Sequence, residues 1–301
     1  MSKSRRLAAV LCIGALGAVA ASGAANAVDR FTWDPEAQPE TVGTPRDPGQ
    51  RQVEMDALQK ALAARQVDRG MKGERVVTLT AAEKSAVDSL ASTGGKYLVG
   101  VNKAIGAAVD FDAAAGLGRT VRGLPLGAMR GDGHGGFVWT AAVRSPGAEA
   151  MRAHLTGLDL PEGAELYVYD KAGHAFGPYT GRGPLGTGDL WTNTVFGERL
   201  ILQLVARGGE RVAPLFVAEV GVMGKRFVAP HYGPNGVFDP SDLARLAEAK
   251  AFCSYNATCV VNAACQSSSA VNTAKQAVAT MLFTSGGSQY ICTGQLIADN
   301  V

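Results

Sequence analysis

Apolar positions follow two different periods along this chain. Val53, Met55, Leu58, Leu62 and Ala63 recur near helical spacing, so a helix is expected over that stretch. A second, shorter helix is expected after Thr80, because Thr80-Ala81-Ala82-Glu83 has the form of a capping box. There the Thr80 hydroxyl and the Glu83 carboxylate would satisfy backbone N–H groups left free at a helix start. Both helices read as scaffold. From Lys96 onward the period becomes two. Tyr97, Val99 and Val101 alternate with other residues, as do Phe137, Trp139 and Ala141. Leu166-Tyr167-Val168-Tyr169 runs into a turn at Asp170-Lys171-Ala172-Gly173, and Leu200 to Val205 and Leu215 to Val222 complete a set of short apolar strands. Pro-Gly and Gly-Gly turns between strands at this spacing predict a mainly β fold built on an antiparallel β-sandwich.

The ends of the chain break both patterns. Lys3, Arg5 and Arg6 precede an apolar run, Leu7 to Ala21, that closes on Ala25-Asn26-Ala27. This is the three-part layout of a secretory signal peptide, with cleavage expected between Ala27 and Val28. The run is too short and too rich in Ala and Gly for a stable membrane anchor. General secretion fits better than twin-arginine export, since Leu7-Ala8-Ala9 does not continue the Arg5-Arg6 pattern. The mature chain is therefore expected outside the cell or in the periplasm. Residues 28–50 hold Pro35, Pro39, Pro45 and Pro48 among polar side chains, which predicts an extended leader.

Composition narrows the function. A hydrophobic content of 47% is ample for packed cores, and a formal net charge of +2 with no long basic run argues against nucleic-acid binding. The four histidines, His134, His154, His174 and His231, have no Cys or carboxylate at metal-ligand spacing, so no metal and no cofactor is expected. Trp139, Tyr169, Tyr179 and Trp191 pose one alternative: a non-catalytic secreted sandwich whose aromatic face binds carbohydrate or a cell surface. Strand parity alone does not assign their faces.

Beyond residue 250 the chain changes character. Asp239-Pro240-Ser241-Asp242 opens a short charged helix expected to run to Lys250 as a linker. Residues 251–301 then hold only two charged side chains, Lys275 and Asp299, against fifteen Ser, Thr and Asn, which marks a domain boundary. Val278 to Phe283 and Gln289 to Leu296 predict a β-hairpin around Thr284-Ser285-Gly286-Gly287-Ser288. Cys253, Cys259, Cys265 and Cys292 would meet an oxidising compartment after export, so disulfides outrank metal thiolates. Pairing among the four allows three connectivities, one closing a small loop between Cys259 and Cys265.

Cys292-Thr293-Gly294-Gln295-Leu296-Ile297 resembles the Cys-Gly-Gly-Ser-Leu-Ile type of segment in chymotrypsin-like serine proteases, with Gln295 where Ser or Thr is usual. Cys253-x5-Cys259, Ala274-Lys275-Gln276-Ala277-Val278-Ala279 and Phe283-Thr284-Ser285-Gly286-Gly287 are similar to the bacterial lysyl-endopeptidase branch. Leu160 to Asp170, Gly177-Pro178-Tyr179-Thr180 and Leu190-Trp191-Thr192 resemble the pro-segments of that branch. The resemblance implies a secreted serine endopeptidase precursor acting on protein or peptide substrates through an acyl-enzyme. In it, residues 1–27 are the signal, 28–95 a leader with short helices, 96–238 a sandwich pro-segment, 239–250 the linker, and 251–301 the first strands of a chymotrypsin-like barrel. The resemblance also implies that the pro-segment packs on its own protease domain and that Cys292 pairs with a cysteine following the catalytic histidine. It likewise implies distant downstream partners for Cys253 and Cys259. No catalytic residue is assignable within these 301 residues, because nothing around Ser267-Ser268-Ser269 supplies a base or a nucleophile elbow. The triad is expected beyond Val301, and this stretch alone is expected to be inactive. Maturation is expected near the linker, between Lys250 and Ala251, where charge is abruptly lost.

Overall fold

The computed structural model describes residues 48–68, 74–89, 92–93, 96–112, 118–122, 124–208, 210–224, 227, 268 and 278–295. Two helices, α1 (Pro48–Arg65) and α2 (Ala81–Asp88), accompany fifteen strands. The strands of the first half are β1 (Arg75–Val76), β2 (Ser92–Thr93), β3 (Lys96–Val109), β4 (Thr120–Val121), β5 (Ala128–Gly131), β6 (Phe137–Arg144) and β7 (Ala150–Thr156). Then come β8 (Ala164–Tyr169), β9 (Ala175–Tyr179), β10 (Leu190–Trp191), β11 (Val195–Phe196), β12 (Arg199–Ala206) and β13 (Leu215–Met223). A hairpin, β14 (Val278–Ser285) and β15 (Ser288–Gln295), completes the set.

The strands form two sheets, and every pairing is antiparallel except that of β1 with β6. The first sheet runs β4-β5-β6-β12-β8-β9, and the second runs β10-β7-β13-β3-β15-β14. Period-two alternation explains the core between them. Phe137, Trp139, Ala141 and Val143 of β6 and Leu200, Leu202 and Leu204 of β12 face Met151, Ala153 and Leu155 of β7 and Val217, Val220 and Val222 of β13. The register of β13 shifts between Val217 and Glu219 against both neighbours, so a bulge there turns Glu219 to the face opposite the core. The fold is mainly β and built of two antiparallel sheets, as the alternation implies.

The helices cover what the sheets leave open. Leu58 and Leu62 of α1 pack on Tyr167, Tyr169 and Ile201, the outer residues of β8 and β12. Val53, expected on the same helix face, is instead 57% exposed, because the covered face of α1 runs through Gln52, Met55, Asp56, Gln59 and Leu62 and Val53 lies to one side of it. The capping box of α2 forms as expected: Thr80 Oγ1 accepts from the Glu83 N–H at 3.2 Å, and Glu83 Oε2 accepts from the Thr80 N–H at 2.7 Å. Lys103 of β3 adds an ion pair to Glu83 at 3.0 Å. Thr80→Ala is expected to lower stability by about 1 kcal/mol, read as a small drop in the urea midpoint with unchanged slope. No helix among the described residues is long and apolar enough to cross a membrane.

The hairpin forms where the sequence places it, but its strands extend to Ser285 and Ser288 and its turn shrinks to Gly286 and Gly287. Both glycines have positive φ, 55° and 74°, which is what a two-residue turn between twisted strands requires. β15 pairs with β3, from Ser288 opposite Val101 to Ile291 opposite Tyr97, so the hairpin extends the second sheet. Ile291 and Leu282 close over Val99 and Tyr97 in a small apolar cluster of their own.

Candidate functional site

A connected group of polar side chains lies where the hairpin joins the second sheet. Because Met151, Ala153 and Leu155 enter the core, Arg152 and His154 stand on the outer face of β7. Register then sets their neighbours. Gly221 of β13 lies opposite Arg152, and Asn102 of β3 opposite Gly221. Glu219 and Trp191 flank His154. Gln289 of β15 enters beside Gly100. Its amide occupies the space above Gly221, where a Cβ would stand only 2.7 Å from Gln289 Nε2.

These side chains form a directional series of hydrogen bonds. Arg152 Nε donates to Gln289 Oε1 at 2.8 Å, Gln289 Nε2 donates to Asn102 Oδ1, and Asn102 Nδ2 donates to Glu219 Oε1 at 3.0 Å. Arg152 Nη2 also donates to Thr284 Oγ1 at 2.9 Å. Two head-to-tail amides thus connect a cation to a carboxylate. Gln289 is fully buried and Arg152 is 8% exposed. Burial pulls the Arg152 guanidinium down to about 10, and the Trp191 ring lies with its centroid 4.6 Å from the guanidinium carbon. His154 stacks on that ring at 4.7 Å and sits between Asp189 (2.9 Å) and Glu219 (3.4 Å). Among the described residues, Nε2 of His154 meets Asp189 and Nδ1 meets Glu219, both of them carboxylates.

A second polar centre surrounds Asp170. Its carboxylate is 1% exposed and accepts from the N–H groups of Ala172, His174 and Phe196, and from His174 Nδ1 at 2.8 Å. This arrangement ties the turn after β8 to β11. Above it an open cleft of about 480 Å³ is lined by Arg144, Lys171, Ala172, Phe196, Gly197, Glu198 and Arg199. None of the lining side chains carries a hydroxyl or thiol, and the charges are largely matched, Arg144 with Glu198 and Arg199 with Glu74. Among the described residues no group of three or more His, Cys, Asp and Glu side chains is placed to hold a metal ion.

The four aromatics raised as a carbohydrate-binding face do not share one. Trp139 is fully buried in the inter-sheet core, Tyr169 is buried beneath α1, and Tyr179 is buried with its hydroxyl on Asn193. Only Trp191 keeps a partly open ring, and His154 and Arg152 already contact it. Cys292, Thr293, Gly294 and Gln295 lie on β15 with their backbones opposite Met281 to Val278. Leu296 and Ile297, the other disulfide candidates (Cys253, Cys259 and Cys265), the expected signal cleavage between Ala27 and Val28, the expected linker helix and the expected junction Lys250-Ala251 lie outside the described residues. The sequence pattern marks Asp170 only as a turn residue and Gln289 only as the start of a strand, and it does not single out Arg152 or Asn102. The one local clue was Gly221, a glycine inside an apolar strand, where a close approach by another group is to be expected.

No family model matches the chain, and no curated protein sequence matches it. Among solved structures the chain is similar over 44% of its length to the isomalto-dextranase of Arthrobacter globiformis T6 complexed with panose, at 16% identity and a TM-score of 0.16. The match covers 24% of that chain, so this protein spans less than a quarter of the enzyme's length. A likeness so slight carries no statement about fold or function.

Proposed function

We propose that the chain is the pro-segment and first hairpin of a secreted serine endopeptidase precursor. The catalytic histidine, aspartate and serine would lie in sequence following residue 301. Peptide hydrolysis would pass through an acyl-enzyme, and the sandwich would assist folding of the protease or keep it inactive. The observation that carries this reading is the pairing of β15 with β3. β15 bears Cys292 to Gln295, the segment resembling the strand that precedes the catalytic histidine in chymotrypsin-like proteases. A pro-segment that incorporates that strand into its own sheet has a direct physical hold on the domain it serves, through main-chain hydrogen bonds and alternate side chains.

Secretion of the complete product of the gene, followed by labelling with a fluorophosphonate, tests the proposal. A labelled species whose amino terminus lies near the Lys250-Ala251 junction is expected, while residues 28–301 alone stay unlabelled. Absence of any labelled species, or a mature amino terminus inside the sandwich, would sink it.

A further inference from the structure

The seam between hairpin and sandwich has a chemistry more selective than strand pairing alone. Main-chain hydrogen bonds accept almost any strand, but the Gln289 side chain enters a socket with three independent requirements. Gly221 leaves the space the amide occupies. Arg152 presents a donor, and Asn102 presents an acceptor. The Asn102 carbonyl oxygen is turned toward Gln289 because its amino group is held by Glu219 at 3.0 Å. The residue at this position must therefore accept at one end and donate at the other. A carboxamide does both; an ionised carboxylate only accepts, and an ammonium only donates. The socket residues come from β7, β3 and β13, adjacent strands of the sandwich, whereas both acceptors of Arg152 belong to the hairpin. With the hairpin in place Arg152 is buried, so a hairpin without these two acceptors would cover an unpaired guanidinium, which makes a correctly equipped hairpin the favoured occupant.

We propose that the β3 edge of the second sheet, with the polar group beside it on the outer face, is a recognition site for a β-hairpin bearing a neutral carboxamide at the position of Gln289, and that this amide selects the hairpin the sandwich accepts. Combined with the precursor reading, the socket is the means by which the pro-segment tells its own protease domain from others with a different residue there. The socket itself does not depend on that reading.

Hydrogen exchange on residues 28–301 tests it. Gln289→Glu sets a carboxylate against the Asn102 oxygen and is expected to speed exchange at residues 288–291 on the order of tenfold to a hundredfold. Amides of β6 and β12 serve as the control for an intact fold. Adding Glu219→Gln reverses the two amide hydrogen bonds of the series and keeps the one from Arg152: Gln at 219 donates to a flipped Asn102, which donates to Glu at 289, which accepts from Arg152. The double variant is expected to return to within about threefold of the parent. Gly221→Ala is expected to loosen the hairpin as Q289E does, because the amide no longer fits. If Q289E does not fold, rescue is read instead as renewed protection in β6 and β12. Unchanged exchange in Q289E, or a double variant no more protected than Q289E, would overturn the socket. Because the assay needs no catalytic activity, it can fail while fluorophosphonate labelling succeeds, and the reverse.

Discussion

Replacing Asp170 with alanine is expected to cost about 3–5 kcal/mol of stability, because it removes one side of a buried, fully engaged polar centre. The carboxylate accepts four hydrogen bonds, two of them from N–H groups of residues that are themselves at least partly buried, His174 and Phe196. Alanine takes away the acceptor that those donors and the His174 ring share, at a place where water has little access. A loss of that size is a large part of the 5–15 kcal/mol typical of a whole domain, so a sharp drop in the urea midpoint should be plain by tryptophan fluorescence. The pH dependence carries a further signature. Burial alone would raise the Asp170 carboxyl, but hydrogen bonds from His174 and the Phe196 N–H outweigh it and leave the carboxyl below its ordinary value. A carboxyl depressed by folding contributes stability above its unfolded value, about 4, and loses it as pH falls through the lower folded value. The stability gap between the parent and Asp170→Asn should therefore be widest near neutrality and narrow below about pH 4. A gap independent of pH would refute the role given to this carboxylate.

Trp139→Ala is expected to be as damaging, at about 3–5 kcal/mol, for an apolar reason. The ring is fully buried at the centre of the inter-sheet core, edge-on to Phe111 with centroids 5.7 Å apart. Both sheets are held by their own hydrogen-bond ladders and cannot collapse freely into the space vacated. The indole Nε1 also donates to the Leu126 carbonyl at 3.0 Å. Trp139→Phe separates the two contributions, since it keeps most of the ring and leaves Leu126 unpaired. It should lose roughly 1–3 kcal/mol. Equal losses for Ala and Phe would show that the hydrogen bond, and not packing, dominates.

Local patterns in the sequence translated well wherever the deciding physics was local. The capping box at Thr80 and Glu83 needs only residues three apart, and it forms. The alternation in Phe137, Trp139 and Ala141 places all three on one core-facing surface. The turn at Asp170 was visible, but its carboxylate as the tie to β11 was not, because Phe196 is brought there by the sheets and not by the turn. The same limit applies to the aromatics: Tyr167 and Tyr169 look alike in sequence to core residues, and only α1 lying outside the first sheet explains their burial. The Gln289 socket joins residues on four strands, with Arg152 and Gln289 separated by 137 positions. No periodicity carries information across that distance, and only Gly221 left a trace.

The position of β3 has a consequence for the order in which the molecule is made. β3 is central in the second sheet, yet both of its long neighbours, β13 and β15, follow it only after residues 110–214 have been synthesised. The β5–β6 and β8–β9 pairings of the first sheet are short-range by comparison. As the chain emerges amino terminus first, the first sheet can be complete when β12 arrives, while β3 still waits without its long partners. Such long-range closure is slow and leaves an apolar strand open to wrong pairings in the meantime. During synthesis β3 is thus the segment that most needs a holding chaperone, and the arrival of β13 is the event that ends its exposure.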